Sequence, residues 1–207
     1  MNIVTIDFDI IMHWSVAFYN DLLDDDTTII DIMNDNPNSN FIPHADLFLY
    51  RYLTEYILEC ARSLPKERIK FIESHEEVTK IFDNGTVRSK FNILNIDHHH
   101  DIAYDDDDVE NEIEELTCGN WVKYLFEKYR NDFQEYIWIN DDESVDFEAS
   151  AFFKRKIKRY NIKLYNLYNL AKTTDYLFIC KSTPWIPSNE QELYDNWKYI
   201  IDYLYKK

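Results

Sequence analysis

Glycine and proline are scarce, at two and five in 207 residues, too few for long disordered linkers. Cysteine is scarce as well. Cys60, Cys118 and Cys180 are odd in number, far apart and without a C-x-x-C pair, which argues against a disulfide framework and for a reducing compartment. Basic residues number 22 against 39 acids, and the formal charge of -17 argues against a wide basic surface for duplex nucleic acid. No apolar run nears the ~20 residues of a membrane span. The first residues also lack the basic-then-apolar order of a secretory leader. A soluble, cytoplasmic chain with neither a nucleic-acid nor a membrane partner is therefore expected. What is plentiful is apolar: 45% of residues are hydrophobic and 16% aromatic, enough for the core of one α/β domain over residues 1–207.

The acids are not evenly spread. After the apolar stretch Phe91 to Ile96 comes Asp97-His98-His99-His100-Asp101, in which Asp97, His99 and Asp101 alternate. Alternate side chains on an extended segment share a face, so these three metal-ligand types are expected to point one way and His98 and His100 the other. Two further β-type runs carry suitable partners. Ile3 to Phe8 leads through Asp7 to Asp9, a costly pair on a buried strand without a cation. Ile69 to Ile72 runs into Glu73-Ser74-His75-Glu76-Glu77, which offers His75. An exposed edge strand and a surface histidine turn would account for the same residues without a metal. The sharper expectation is that the three strand ends meet around one or two divalent cations.

Met1 to Met12 reads as a buried strand and Asp24 to Asn40 as a polar loop. Between His44 and Leu64, the residues Leu47, Tyr50, Leu53, Ile57, Leu58 and Ala61 recur at helical spacing. Pro43 suits the first turn of that helix, and Pro65 lies past its end. Strands are expected at Ile69 to Ile72, Phe91 to Ile96, Tyr136 to Ile139 and Tyr176 to Cys180. Helices are expected at His75 to Phe82 (closed by Asn84-Gly85), Gly119 to Tyr129, Glu148 to Tyr160 with a basic face, and Gln191 to Tyr205. Asp105 to Asp108 opens an acidic surface segment. Strands alternating with helices predict a three-layer αβα sandwich with a mainly parallel sheet, where ligands gather at the carboxyl ends of strands.

At these residues the chain resembles the arginase/deacetylase (ureohydrolase-like) superfamily, and within it the group called uncharacterised protein family 0489. Glu73-Ser74-His75-Glu76-Glu77-Val78 is similar to that group's E-D-H-x-E-V segment, with Ser for Asp. Ile96-Asp97-His98-His99-His100-Asp101-Ile102 keeps its D-x-H-x-D pattern. Gly119-Asn120-Trp121-Val122 looks like its G/E-N-W segment, and Lys181 to Pro187 like its late S-x-x-x-Y-x-P loop. The family's D-x-D normally follows D-x-H-x-D, whereas Thr5-Ile6-Asp7-Phe8-Asp9 precedes it here, as in a circular permutation. The resemblance implies that one metal takes His75, Asp97, Asp101 and Asp7, and a second His99 and Asp9 with Asp97 and Asp7 bridging. It implies Mn²⁺, one or two ions, with Zn²⁺ or Fe²⁺ as alternatives. A deacetylase-like variant would hold one zinc on Asp97, His99 and Asp7.

The activity so implied is metal-dependent hydrolysis of a non-peptide C–N bond in an amide, amidine or guanidino group, through a metal-bound hydroxide. The substrate would be a small molecule or an acylated group. No match is found for the guanidinium-recognising acid of arginases, nor for the paired histidines and tyrosine of deacetylases. His98, His100 and His44 are the candidates for a general acid. A second reading is a non-catalytic metal-binding or regulatory protein on the same fold. A third is a partner-binding module built on aromatic surface around Trp185 and Tyr194.

Overall fold

Successive side chains of the first strand enter opposite cores, Val4 and Ile6 one and Ile3 the other, so its run of β-branched residues is buried on both faces. A computed structural model describes residues 1–13, 44–103, 113, 115–142, 144, 154–183, 186 and 190–206. In chain order the elements are β1 (Asn2–Asp7), β2 (Met12–His13), β3 (His44–Ala45), α1 (Leu47–Ser63), β4 (Ile69–Ile72), α2 (Lys80–Asp83), β5 (Phe91–Ile96), α3 (Trp121–Lys128), β6 (Phe133–Asn140), β7 (Ile157–Asn161), α4 (Leu167–Ala171), β8 (Tyr176–Cys180) and α5 (Gln191–Leu204).

Six strands form one sheet in the order β4-β8-β1-β5-β6-β7, with every neighbouring pair parallel. β2 and β3 form a separate two-residue antiparallel pair. On one face the sheet packs against α1, α4 and α5 through Leu53, Ile57, Leu167, Trp197 and Ile201. On the other it packs against α2 and α3 through Ile81, Phe82, Trp121, Val122 and Leu125. The described residues are thus an α/β arrangement with helices on both sides of a parallel sheet. Because all six strands run the same way, their carboxyl ends share one edge. Among the described residues no helix is long and apolar enough to cross a membrane.

The strands at Ile69–Ile72, Phe91–Ile96 and Tyr176–Cys180 have the limits expected from sequence. Other elements differ, among them β6, which runs Phe133–Asn140 rather than Tyr136 to Ile139. The strand expected over Met1 to Met12 ends at Asp7, where the Asp7 carboxylate accepts the Asp9 N–H at 3.1 Å and starts a 3-10 turn over Phe8–Ile11. The helix expected from His44 begins at Leu47, because Asp46 caps it by accepting the N–H groups of Phe48 and Leu49. His75–Thr79 is a 3-10 turn that becomes helical only at Lys80. The segment Ile157–Asn161, expected as the end of a helix, is the edge strand β7. Its lysine and arginine suit an edge rather than a helix face: Lys158 pairs with Glu135 on β6 at 2.5 Å, and Arg159 lies over the Trp138 ring. The loop at Asp24 to Asn40, Pro43, the acids Asp105 to Asp108, and residues 148–153 lie outside the described residues.

Tyr194 is core, not docking surface. It is 3% exposed, and its hydroxyl donates to the carbonyls of Ile72 and Ile179. That removes half of the aromatic surface expected there, and Trp185 lies outside the described residues.

Candidate metal centre

Three strand ends on one edge of the sheet bring the six sequence-derived residues together. β1 delivers Asp7 at its last residue and Asp9 in the turn after it. β4 delivers His75 three residues past its end, across the width of β8, and β5 delivers Asp97, His99 and Asp101. His75 Nδ1 lies 2.9 Å from Asp101 Oδ2, 3.4 Å from Asp97 Oδ2 and 3.5 Å from Asp7 Oδ2. His99 Nδ1 lies 3.2 Å from Asp9 Oδ2 and 3.5 Å from Asp97 Oδ1. Two donor clusters therefore adjoin, and Asp97 gives one oxygen to each.

The shared direction of Asp97, His99 and Asp101 has a different cause from the expected strand alternation. β5 ends at Ile96, and the next residues bend. Asp97 Oδ1 accepts the His99 N–H at 2.8 Å, which turns the chain back on itself. Asp101 sits at φ 50°, a left-handed conformation unusual for a side-chain-bearing residue. Hydrogen bonds to the loop hold that shape. Trp138 Nε1 donates to the Asp97 carbonyl at 2.9 Å, the Tyr136 hydroxyl to the His100 carbonyl at 2.7 Å, and Trp121 Nε1 to Asp101 Oδ2 at 2.7 Å. Asn95 Nδ2 bridges Asp97 Oδ2 and Asp101 Oδ2 at 3.1 and 3.2 Å, spreading two carboxylates that would otherwise repel. On the far side, the Ser182 hydroxyl donates to Asp7 Oδ2 at 2.5 Å.

Asn95, Trp121, Ser182 and Cys180 lie at the site without having been expected there from spacing. Trp121 and Ser182 fall inside segments that carry the family likeness, and Asn95 is a polar residue inside an otherwise apolar buried strand. That polar interruption was the available signal. Two of the expected proton-transfer candidates are otherwise engaged. His98 Nε2 is 3.2 Å from the Met12 carbonyl and Nδ1 is 2.9 Å from Asp141 Oδ2. His100 Nδ1 accepts the Ile102 N–H at 3.2 Å, and burial pushes its pKa down to about 3, so it is neutral and cannot supply a proton. The His44 side chain lies outside the described residues.

Burial and mutual repulsion dominate the electrostatics. Burial, then the charges of Asp9 and Asp97, raise Asp7 well above the usual carboxylate range. Burial and Asp97 push Asp101 up to about 7. For His75, burial works against the charge, but the hydrogen bond and charge of Asp101, with Asp7 and Asp97, overcome it and leave a pKa of about 10. Asp97 goes the other way: burial would raise it, yet hydrogen bonds from His99 and the charges of both histidines hold it at about 2. Without metal, a proton on His75 stands among the carboxylates where a cation would sit. Cys118, exposed in the loop before α3, is no ready nucleophile. Partial desolvation and the fields of Asp101, Glu76 and Asp7 push its thiol up to about 12.

The donors suit a divalent ion. Carboxylate oxygens and imidazole nitrogens group as His75, Asp97 and Asp101, as Asp9, Asp97 and His99, and as Asp7, His75 and Cys180, each within 4.8 Å. Asp9 Oδ1 is buried with no hydrogen-bond partner among the described residues, a costly position for a carboxylate oxygen that a cation would relieve. Comparison with models of known protein families, with curated proteins and with solved structures gave no match.

The protonation pattern predicts how the metal-free protein responds to pH. His75 and Asp101 both bind protons more tightly folded than unfolded. The Asp101 contribution is complete below 3.8 and is lost as pH rises through about 7. The His75 contribution is complete below 6.5 and is lost as pH rises through about 10. The Asp97 contribution has the opposite sign and is lost only as pH falls from 3.8 through about 2. In chelator, the unfolding midpoint should therefore fall between pH 6 and pH 9, more in the wild type than in His75→Gln. With a saturating divalent ion the difference between the two pH values should shrink or reverse, because binding displaces those protons. A wild-type slope no steeper than that of His75→Gln in chelator contradicts the assignment.

Proposed function

We propose that the chain is a divalent-metal-dependent hydrolase of a non-peptide C–N bond, in an amide, amidine or guanidino group, on an arginase/deacetylase-like fold. The observation that carries this reading is the pair of adjoining carboxylate–imidazole clusters sharing Asp97. Their residues answer one for one to the ligand set that the sequence resemblance implies. Asp7, Asp97, Asp101 and His75 would hold one ion, and Asp9 and His99 a second, with Asp97 and Asp7 between them. The ion would lower the pKa of a water and polarise the substrate's carbon centre. The resemblance favours manganese, and the donor set equally admits zinc or iron.

The protein's own groups orient and shield. Asn95, Trp121 and Ser182 fix the carboxylates by hydrogen bonds, so their lone pairs are aimed before any ligand arrives. Five of the six side chains are at most 6% exposed, and His99, at 22%, is the one open to solvent. A substrate would approach from the His99 side. The same closure favours a second reading, a non-catalytic or regulatory metal protein, since structural sites are closed and catalytic ones keep an open position.

Metal content and turnover separate the two. Purified protein loaded with Mn²⁺ or Zn²⁺ should hydrolyse a member of a panel of amides, amidines and guanidino compounds, and lose that activity in chelator and in His99→Ala. Stoichiometric metal without turnover across the panel selects the regulatory reading. Full metal stoichiometry in both Asp97→Ala and His99→Ala shows that the ligands are elsewhere.

A further inference from the structure

We infer that Cys180 is a direct sulfur ligand at the His75–Asp7 side of the metal centre, making that position selective for a thiophilic ion. The inference rests on the metal-site reading above and adds a donor that neither the spacing of acids nor the family likeness supplies. Its basis is sheet register. β8 runs between β4 and β1, and Cys180 is the parallel partner of both Ile72 and Asp7. The last side chain of β8 therefore arrives between the end of β1 and the turn that carries His75. Its sulfur, a carboxylate oxygen of Asp7 and a ring nitrogen of His75 all lie within 4.8 Å of one another, and all three residues are buried.

A turn at the same place adds a hydroxyl to the cluster. Ser182, two residues on, takes a left-handed φ of 49°. That turn sets its hydroxyl 2.5 Å from Asp7 Oδ2 and 3.4 Å from Cys180 Sγ. A buried cysteine is ordinarily a small apolar side chain. Here one side of it joins the apolar core, while the sulfur meets a carboxylate, an imidazole and a hydroxyl. The imidazole is itself incomplete: His75 Nε2 is buried with no hydrogen-bond partner among the described residues.

Coordination is a simple exchange. The S–H bond breaks, a sulfur–metal bond forms, and the proton leaves to buffer, with no change of oxidation state. Thiolate favours zinc and iron over manganese, so the sulfur would tilt a site of otherwise hard donors toward the softer ions.

Cobalt(II) alone is the probe, added to the full chain after chelator treatment. The wild type should show visible d–d bands together with a near-ultraviolet sulfur-to-cobalt charge-transfer band that saturates at the same stoichiometry. Cys180→Ser should lose the charge-transfer band and keep the d–d bands, while Cys60→Ser and Cys118→Ser keep both. Competition should show the preference for Zn²⁺ over Mn²⁺ falling in Cys180→Ser by at least the roughly tenfold that losing an outer partner costs a metal site. Cobalt bound to the wild type without a charge-transfer band overturns sulfur ligation and leaves the carboxylate–histidine site standing, whatever the fate of the variant. A charge-transfer band that disappears in Cys118→Ser instead also overturns it. A wild type that binds no cobalt overturns this inference and the metal reading together.

Discussion

Saturating the metal-free protein with a divalent ion should raise its unfolding midpoint by about 10 °C. An ion at a thousandfold excess over its dissociation constant adds about 4 kcal/mol, and each kcal/mol is worth about 2–4 °C in a chain of this length. Asp97→Ala should lose that increment entirely. Asp97 is wholly buried and, among the described residues, is the one with an oxygen toward each of His75 and His99, so its removal opens both clusters at once. The substitution also removes the carboxylate that accepts the His99 N–H and one of the acceptors of the Asn95 amide, which lowers the metal-free midpoint for unrelated reasons. The quantity to read by calorimetry is therefore the metal-induced difference within each variant. An undiminished difference in Asp97→Ala would falsify the placement of the ion.

Asp7→Asn should move the two quantities in opposite directions. Burial and the charges of Asp9 and Asp97 make an ionised Asp7 unfavourable in the metal-free fold. An amide of the same shape keeps the acceptor for the Asp9 N–H, and the Ser182 hydroxyl can rotate to accept from the new NH₂. The metal-free midpoint should rise by about 2–4 °C, the equivalent of about 1 kcal/mol. A raised acid contributes its stability below the usual 3.8 and loses it as pH increases, so the variant's advantage should grow from about pH 4 upward. The metal-induced rise should shrink at the same time, since a carboxylate proposed as a ligand would have become neutral. Such a result would be the stability cost that a carboxylate kept for a cation imposes on its own fold. A metal-free Asp7→Asn protein less stable than the wild type at pH 8 rejects the account.

Much of the sheet was legible because its inner strands are short β-branched runs between turn residues, as at Ile69–Ile72 and Tyr176–Cys180. The errors come where local pattern and tertiary setting disagree. Phe8, Ile10 and Ile11 are as apolar as the strand before them, so only the Asp7 side chain marks the stop, by capping a turn that periodicity does not register. β7 has no apolar alternation because one of its flanks has no strand partner among the described residues, and its charges read as a helix face. The six acids and histidines were visible from spacing because their chemistry is rare on apolar runs. Trp121, Ser182 and Cys180 were not, because each meets the site's acids or histidines only across a long stretch of chain, and Asn95 showed only as a polar interruption of its strand. Trp121 reaches Asp101 across 20 residues and Ser182 reaches Asp7 across 175.

The position of β1 has a consequence for biogenesis. Its two sheet partners are β5 and β8, and Ile3 pairs with Tyr176. On a ribosome adding about 5–20 residues per second, the first strand would spend on the order of ten seconds with one edge open before β8 emerges. Such distant pairing also slows folding once the chain is complete. Asp7 would meet its neighbours on β5 early and those on β8 last, so the half of the site nearest His99 can assemble on the nascent chain before the half nearest Cys180 exists.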